Sequence, residues 1–428
     1  MISSIVYDIA GIGIGPFNLG LAALLEPIKG LRSIFFEKKE TFDWHPGLMI
    51  DGATLQVPFY ADLVTLADPT SKFSFFAFLK SKNRLIRFSI SDNNFISRKL
   101  FNEYCNWVVA QLGNLYFDYQ VSSIHFNTKM KCYEIRVSNL KKYQIVYARQ
   151  LVIGVGSNPY VPSFAEKVKG ENVFHSSSYL YHKKNILNKD SVVLVGSGQS
   201  AAEIFFDLLQ YLPSDSLKKV SWLTRSKRFF PMDYSKLSLE MTSPDYIDYF
   251  YHLPEHRKRK ALKNQDMLYK GINIALINRI YDKLYELSDE IGEVPVRLMA
   301  NMELQNITQA TDQYTLEFYQ AEQQKYYQHT SATVILSTGY QRASCNFLEP
   351  VKERIQWTKE EDFDINFNYS IDVGSREIFV QNAELYTHGF NAPDLGMGPH
   401  RNAIIINTIL GYEYYSTEKS VAFQDFGV

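Results

Sequence analysis

The residues best suited to chemistry form two glycine-rich loops that lie far apart in the chain. The loops read Gly11-Ile12-Gly13-Ile14-Gly15-Pro16 and Gly196-Ser197-Gly198-Gln199-Ser200-Ala201-Ala202-Glu203. Each loop follows an apolar segment typical of a buried strand and opens an apolar helix, whose free N–H groups and dipole attract a pyrophosphate. One such loop predicts a nucleotide, whereas two loops separated by a whole domain predict two dinucleotides held for electron transfer between them.

The residues around each loop predict which dinucleotide it binds. Glu37 ends the second strand, where an acidic side chain accepts hydrogen bonds from ribose hydroxyls. In the first loop, Gly11 is expected to allow the tight turn and Gly13 the close approach of a pyrophosphate, with Pro16 near the start of the helix. After the second loop, the next strand ends in Thr224-Arg225-Ser226-Lys227-Arg228. Such a cationic cluster favours the 2′-phosphate of NADPH over NADH, and the alternative is a solvated basic turn.

The composition excludes several other classes of protein. The chain has 428 residues, of which 46% are apolar, and its formal charge of −1 offers no basic surface for nucleic acid. Cys105, Cys132 and Cys345 form no closely spaced pair, so a redox-active disulfide is not expected and a reducing, cytoplasmic compartment fits. No apolar run reaches the roughly 20 residues that span a bilayer, and no cluster of ligands predicts a metal. Flavin chemistry remains, with reduction by NADPH followed by reaction with a substrate or with O₂.

The alternation of apolar segments with helical patterns predicts an α/β fold with two Rossmann-like dinucleotide-binding domains and a smaller helical substrate region. A strand ending near residue 155 is expected to return to the first sheet, and an apolar strand at 333–340 is expected to rejoin the first domain. The predicted division has a first segment of the first domain at 1–165, a second domain at 166–330 with a helical insertion at about 230–290, and a second segment of the first domain with C-terminal closure at 331–428.

Longer motifs surround both loops and carry a resemblance to a known family. They read Gly11-Ile-Gly-Ile-Gly-Pro-Phe-Asn-Leu-Gly20, Phe42-Asp-Trp-His-Pro-Gly47, Leu55-Gln-Val-Pro-Phe59, Asp62-Leu-Val, Asp68-Pro-Thr-Ser71, Ser337-Thr-Gly-Tyr340 and His388-Gly389. Over nearly its full length, the chain resembles the microbial N-hydroxylating flavin monooxygenases of siderophore biosynthesis, which act on lysine, ornithine or diamines. The resemblance implies FAD at the first loop, NADPH at the second, oxygen transfer from a C4a-hydroperoxyflavin to a neutral primary amine, and a homotetramer.

The resemblance also implies which side chains meet the cofactors, and it implies no classical catalytic residue because the flavin carries the chemistry. Gln56 has a structural alternative, as a buried amide that bridges loops. The implied FAD residues are Gly11, Gly13, Gly15, Pro16, Glu37, Lys38, Trp44, His45 and Gln56. The implied NADPH residues are Gly196, Ser197, Gly198, Gln199, Ser200, Glu203 and Arg225. Tyr340 is a further implied cofactor residue, and the residues expected to close over the flavin end are Asp394, Leu395 and Gly396.

A departure from the family pattern concerns the substrate. Ornithine-type members carry a lysine that pairs with the substrate's α-carboxylate just before the Asp-Leu-Val motif, and Ala61 stands there in this chain. An alanine would leave that buried carboxylate unpaired, which is costly. The Asn-Pro of their insertion corresponds to Ser243-Pro244 here. Both changes favour a diamine, namely putrescine, cadaverine or 1,3-diaminopropane, in hydroxamate-siderophore assembly.

The details of the substrate site stay open. Histamine is an alternative, and lysine or ornithine is another if Lys72 or Arg257 compensates for Ala61. The distal ammonium of a diamine needs oxygen partners. The candidate acids are Glu240, Asp245 and Asp394, and the predicted substrate residues are Ala61, Glu240, Ser243 and Asn273.

Two other classes of flavoprotein also stay open. Phe174-His175-Ser176 loosely resembles a signature of Baeyer–Villiger and S-oxidising flavin monooxygenases. A non-catalytic redox sensor would bind FAD without oxidising an amine. The aromatic insertion at 230–290 argues against a sensor, which needs no cover over its flavin.

Overall fold

The computed structural model describes residues 5–212 and 217–428, and it has the predicted α/β architecture, with a mixed seven-stranded sheet and a parallel five-stranded sheet. The strands are β1 (Val6–Ile12), β2 (Ser33–Phe36), β3 (Leu115–Tyr116), β4 (Gln120–Asn127), β5 (Cys132–Ser138), β6 (Tyr143–Ile153), β7 (Ser157–Pro159), β8 (Val173–His175), β9 (Ser191–Val195), β10 (Lys219–Leu223), β11 (Val296–Met299), β12 (Met302–Ala310), β13 (Gln313–Gln320), β14 (Lys325–Ser331), β15 (Thr333–Leu336), β16 (Tyr340–Arg342) and β17 (Ile378–Val380). The helices are α1 (Pro16–Leu25), α2 (Phe75–Ser81), α3 (Leu85–Ser91), α4 (Arg98–Val109), α5 (Ser163–Glu166), α6 (Tyr179–Ile186), α7 (Gln199–Leu209), α8 (Lys236–Leu239), α9 (Pro244–His252), α10 (Glu255–Asn264), α11 (Asp266–Tyr269), α12 (Ile274–Ile291), α13 (Leu385–His388) and α14 (Met397–Leu410).

The first sheet has seven strands and holds the first glycine loop between β1 and α1. Its order is β3-β2-β1-β6-β5-β4, with β17 also paired to β6. β1 is parallel to both β2 and β6, and its centre is apolar and fully buried because helices and loops cover both faces. The predicted return of the chain to this sheet near residue 155 is confirmed, since β6 pairs with β1 as far as Ile153.

The second sheet has five parallel strands in the order β11-β10-β9-β15-β8, and the second glycine loop joins its β9 to α7. The expectation that the apolar strand at 333–340 rejoins the first domain is wrong, because β15 pairs with β9 and β8. A short buried run such as β15 suits the centre of either parallel sheet, so its composition does not distinguish them. The chain returns to the first sheet only at β17.

Two short strands mark where the chain crosses between the sheets. β7 follows the last long strand of the first sheet, and β16 follows the last strand of the second. The two pair antiparallel, with Tyr340 opposite Pro159 and Arg342 opposite Ser157. Both crossings therefore run side by side, at 157–159 and 340–342.

The segment at 230–290 is mainly helical, as predicted, and comprises α8 to α12. Ser243 and Asn273 are the N-caps of α9 and α12, which fits the preference of helix starts for short polar side chains. The chain after α14 runs back over this region and packs Phe426 against Tyr246, with ring centroids 5.2 Å apart. The C-terminal segment thus covers part of the helical insertion.

The described ranges contain neither a membrane-spanning helix nor a cluster of metal ligands. None of their helices is long and apolar enough to cross a membrane. They hold no group of three or more His, Cys, Asp and Glu side chains arranged to bind a metal ion. All three cysteines are free thiols, and Cys105 and Cys132 are buried.

Candidate functional site

The first glycine loop is shaped by three glycines with different roles. A Cβ on Gly11 would lie 2.0 Å from the Phe35 ring on the neighbouring strand, and Gly13 has a φ of +88° with the Gly154 carbonyl 2.5 Å from its Cβ position. Gly15 has no neighbour within 4 Å of its Cβ position. The tight turn is therefore at Gly13, and the open approach for a pyrophosphate is at Gly15. Each lies one glycine later than the sequence predicted, because Gly11 is still within β1 and packs against β2.

Glu37 lies beside the first loop, as its place after β2 predicted. Its two carboxylate oxygens accept hydrogen bonds from the backbone N–H groups of Ile14 at 2.9 Å and Lys39 at 3.1 Å. These bonds hold the carboxylate next to the loop, and each oxygen keeps a second lone pair for a ribose hydroxyl. The neighbouring Lys38 is exposed to solvent.

A buried amide network, which the sequence analysis missed, supports the first loop from below. Asn18 donates to the Gly13 carbonyl at 2.8 Å, and its oxygen accepts from Gln381 at 3.0 Å. Gln381 also donates to Asn402 at 2.8 Å, which in turn donates to the Phe17 carbonyl at 3.1 Å. All three amides are at most 3% exposed. The only sequence signal was the place of Asn18 in the Pro-Phe-Asn-Leu motif, since its partners lie near the other end of the chain.

The second loop has the same backbone design. Gly196 has a φ of +143°, and its Cβ position lies 2.2 Å from the Ser337 carbonyl at the end of β15, so only glycine fits. Gly198 is the N-cap of α7, and the nearest atom to its Cβ position is 3.8 Å away. The first N–H groups of α7 and Ser200 are thus open to an anionic ligand.

Three cations stand at the turn after β10, beside the second loop. Ser226 in this turn donates to the Ser197 hydroxyl at 2.9 Å, which fixes the turn against the loop. Arg225, Lys227 and Arg228 are exposed, and within the described part of the chain none of them forms an ion pair. The arrangement leaves their charge available to a phosphate.

Glu203 has a different role from the predicted nucleotide contact. Its carboxylate is 3% exposed and pairs with the Arg98 guanidinium at 2.8 Å. Burial raises the pKa of Glu203, and the charge of Arg98 opposes that rise. Arg98 begins α4 and Glu203 lies in α7, so this ion pair ties the first domain to the second.

A junction cluster of Gln56, Gln199, Tyr234 and Asn273 lies beside the second loop. The Gln56 amide donates to the Gln199 oxygen at 3.2 Å, and the same oxygen accepts from the Asn273 backbone N–H at 2.9 Å. The Tyr234 hydroxyl donates to the Gln56 carbonyl at 3.0 Å. The predicted residues Gln56, Gln199 and Asn273 are thus brought together, with Gln56 bridging loops as its structural alternative predicted. The flavin and NADPH contacts of this set stay predictions.

An aromatic group stands beside the crossing strands. The rings of Trp44 and Tyr340 lie 4.9 Å and 5.8 Å from that of His45, and His175 lies 5.2 Å from Tyr340. Burial lowers the pKa of both His45 and His175 to about 4, so both rings are neutral at pH 7. Trp44, His45 and Tyr340 therefore form one group, as expected for residues that would flank a flavin.

Ala61 and the residues from Asp394 to Gly396 also meet. The Cβ position of Gly396 lies 3.0 Å from an Asp394 carboxylate oxygen and 3.4 Å from the Ala61 Cβ. The Asp394 Oδ1 accepts from the backbone N–H groups of Gly396 at 2.7 Å and Met397 at 3.2 Å, at the start of α14. Leu395 lies with Ala61 and Phe17 around a small gap beside the first loop. The start of α14 is therefore next to Ala61.

The other predicted substrate residues form their contacts elsewhere in the fold. The Glu240 oxygens accept from the backbone N–H groups of Phe423 and Gln424, both at 3.1 Å, in the C-terminal segment. Ser243 is 3% exposed and its hydroxyl caps α9. Lys72 pairs with Glu26 on the surface, and Arg257 is exposed on α10. The geometry thus does not support a direct substrate contact by Glu240 or Ser243, nor compensation for Ala61 by Lys72 or Arg257.

Comparison with known proteins gives consistent matches over nearly the whole chain. It is 44% identical to a putrescine N-hydroxylase of Shewanella oneidensis, with 98% of this chain and 84% of the relative covered. The FAD-bound cadaverine monooxygenase of desferrioxamine biosynthesis from Erwinia amylovora is 42% identical, with a TM-score of 0.96 and 99% of each chain covered. The ornithine N-hydroxylase of Kutzneria sp. 744, solved with reduced FAD, NADP⁺ and L-ornithine, is 25% identical, with a TM-score of 0.88 and coverage of 95% of this chain and 99% of that one.

The family itself is identified by a model described as L-lysine 6-monooxygenase/L-ornithine 5-monooxygenase, which matches residues 5–342. This range contains both glycine loops, the junction cluster and Ala61. The resemblance found in the sequence motifs is confirmed, and the chain belongs to the L-lysine 6-monooxygenase/L-ornithine 5-monooxygenase family.

Proposed function

We propose that this protein is an N-monooxygenase that uses FAD, NADPH and O₂ to hydroxylate one amino group of a small aliphatic diamine, in the assembly of a hydroxamate siderophore. The relatives that act on putrescine and cadaverine support this substrate class. Putrescine, cadaverine and 1,3-diaminopropane are all candidates.

The first loop fits the pyrophosphate of FAD. Gly15 leaves open space in front of the N-terminus of α1, and Glu37 is fixed where a ribose would lie. We assign Trp44, His45 and Tyr340 to the flavin end, where neutral rings exclude water without adding charge. Bound there, the flavin would supply the activation of O₂ and the transfer of one oxygen atom to the amine.

The second loop fits NADPH. The open N-terminus of α7 would receive the pyrophosphate, and Arg225 would receive the 2′-phosphate because no carboxylate among the described residues neutralises it. The junction cluster joins Gln56 of the first segment of the chain to Gln199 of the second loop, so it suits the region where the nicotinamide would approach the flavin.

The single observation that carries the substrate class is the surroundings of Ala61. The carboxylate of Asp394 adjoins Gly396 together with the Ala61 methyl group, and this negative charge would repel the α-carboxylate of lysine or ornithine. The cations proposed to compensate lie on the surface. A diamine, which carries only positive charge, matches this site better than an amino acid.

We further propose a domain division that follows the two sheets, with residues 1–165 and the segment bearing β17 and α14 around FAD, and β8 to β15 around NADPH. A homotetramer in the cytoplasm is the assembly and compartment that the family resemblance supports. Sedimentation equilibrium of the FAD-loaded protein tests the assembly, for which a single tetrameric mass is expected.

The function is tested by measuring NADPH oxidation and hydroxylamine formation with a panel of amines. The panel contains putrescine, cadaverine, 1,3-diaminopropane, histamine, L-lysine and L-ornithine. We expect hydroxylamine from at least one diamine, in step with NADPH oxidation, and little from either amino acid. Product from lysine or ornithine alone would contradict the substrate class. NADPH oxidation that yields only hydrogen peroxide with every amine would contradict N-hydroxylation.

A further inference from the structure

Three acids are candidates to hold the distal ammonium of a diamine, and the structure separates them. Both carboxylate oxygens of Glu240 are occupied by backbone N–H groups of the C-terminal segment. Asp245 accepts from the Val421 N–H at 3.0 Å and lines a cavity of about 1150 Å³ together with His400 and Ile404 of α14. These two α14 residues lie on the face opposite Gly398 and Asn402, which contact Phe17 beside the first loop. Neither acid faces Ala61.

Asp394 differs from the other two acids in its position and its unused oxygen. It precedes α14, and its Oδ1 accepts both backbone bonds at the helix start. Within the described ranges, its Oδ2 accepts no hydrogen bond, and no cation pairs with it. Burial raises the pKa of Asp394, which means that its surroundings disfavour the charged form of the carboxylate. A cationic ligand would relieve that penalty.

Small residues adjoin the Asp394 carboxylate. Gly396 contributes no side chain and Ala61 only a methyl group, and both adjoin the carboxylate. Burial raises the pKa of Tyr234 to about 12, and the charge of Asp394 adds to that rise, so the tyrosine hydroxyl is electrostatically coupled to the carboxylate. Tyr234 belongs to the junction cluster. Asp394 therefore lies next to Ala61 and is coupled to this cluster.

We propose that the free Oδ2 of Asp394 binds the distal ammonium of the diamine and so determines specificity for diamines over amino acids and monoamines. This inference rests on the proposed function. The ammonium donates to the carboxylate, while the other amino group, which must be neutral to react, is kept at a distance set by the chain length. The same carboxylate repels an amino-acid carboxylate, so a single side chain both attracts the diamine and rejects its competitors.

The test compares a diamine with the monoamine of equal length in the FAD- and NADP⁺-loaded enzyme. Asp394→Asn keeps an oxygen for the helix start, because asparagine caps a helix as well as aspartate does. We expect this substitution to raise the KM and the Kd of putrescine by about 10- to 100-fold, the loss typical of a charged hydrogen bond. The Kd of butylamine, measured by competition, should change little.

Glu240→Gln is the matched control, since it removes a carboxylate from another of the candidate acids. It should keep the wild-type ratio of putrescine to butylamine affinities. An Asp394→Asn enzyme that keeps this ratio, or that loses affinity for both amines equally, would overturn the inference and leave Asp394 as a helix cap only. A wild-type enzyme that hydroxylates no diamine would instead contradict the proposed function, so the two failures are distinguishable.

Discussion

Arg225 is the residue on which the choice between NADPH and NADH depends. It is exposed and unpaired beside the second loop, and a guanidinium there can form a bidentate pair with a 2′-phosphate. We expect Arg225→Ala to raise the KM for NADPH by about 10- to 100-fold, because hydrogen bonds between charged groups contribute about 1.5–3 kcal/mol. The KM for NADH should change little, as steady-state flavin reduction with each nucleotide will show.

Lys184→Ala is the control for that measurement, because Lys184 is also an exposed cation of the second domain but lies on α6. It should leave both KM values unchanged. A parallel rise of the KM for NADH in Arg225→Ala would mean that Arg225 shapes the loop rather than binds the 2′-phosphate.

Local sequence patterns predicted single residues well only where their role is local. Glu37 and Arg225 lie beside the two loops as their places in the sequence predicted, because a strand and a helix fix those positions within a few residues, while their cofactor contacts stay predictions. Glu203 and Glu240 were assigned wrongly, because their partners lie 105 and 183 residues away in the chain. The spacing of residues in the sequence does not indicate that an acid will pair with a group so distant in the chain.

The C-terminal segment packs on the helical insertion through one aromatic side chain, that of Phe426. The Phe426 ring lies 5.2 Å from Tyr246 and 6.4 Å from Tyr249, both on α9 of the insertion. Loss of this half-buried ring should cost about 1–2 kcal/mol locally. We expect Phe426→Ala to speed amide hydrogen exchange in α9 by about 5- to 30-fold, without a change in the second sheet. Phe423→Ala is the control, since Phe423 is 96% exposed; an equal effect of both substitutions would contradict this assignment.

Elements were predicted more reliably than their partners. The strands and the helical insertion follow from apolar periodicity, and capping residues such as Ser243 and Asn273 mark where helices begin. β15 was placed in the wrong sheet because its apolar pattern fits either one. The paired crossings β7 and β16 were missed, since three-residue strands lack any periodicity.

The whole molecule is joined by contacts between its most distant segments. Asn18 and Gln381 are 363 residues apart, and Arg98 and Glu203 link the layers of the two sheets. These buried polar links hold the first loop, α14 and α7 in one arrangement. The rule that buried polar groups are paired predicts that such links exist, but which residues pair with each other depends on the folded chain.

The same burial of polar groups makes the molecule sensitive to acid. Burial lowers the pKa of His388 to about 3 and those of His45, His175, His329 and His400 to about 4. An unfolded chain takes up protons on these rings below about pH 6.5, whereas the folded chain does not. The free energy of unfolding should therefore fall as the pH drops from 7.5 to 5.5, by about 1 kcal/mol for each ring. Asp62, Glu203 and Asp394, whose pKa values burial raises, offset part of this loss.

His388 offers the sharpest test, because it is 1% exposed and its ring stacks on Tyr369 at 4.4 Å. His388→Asn removes one titrating ring, so its urea-unfolding midpoint should be lower than wild type at pH 7.5 but should fall less on acidification. The difference between the two pH slopes, followed by tryptophan fluorescence, should correspond to about 1 kcal/mol. His256→Asn, on the exposed side of α10, should reproduce the wild-type slope. An unchanged slope in His388→Asn would show that protonation of this ring does not drive the acid sensitivity.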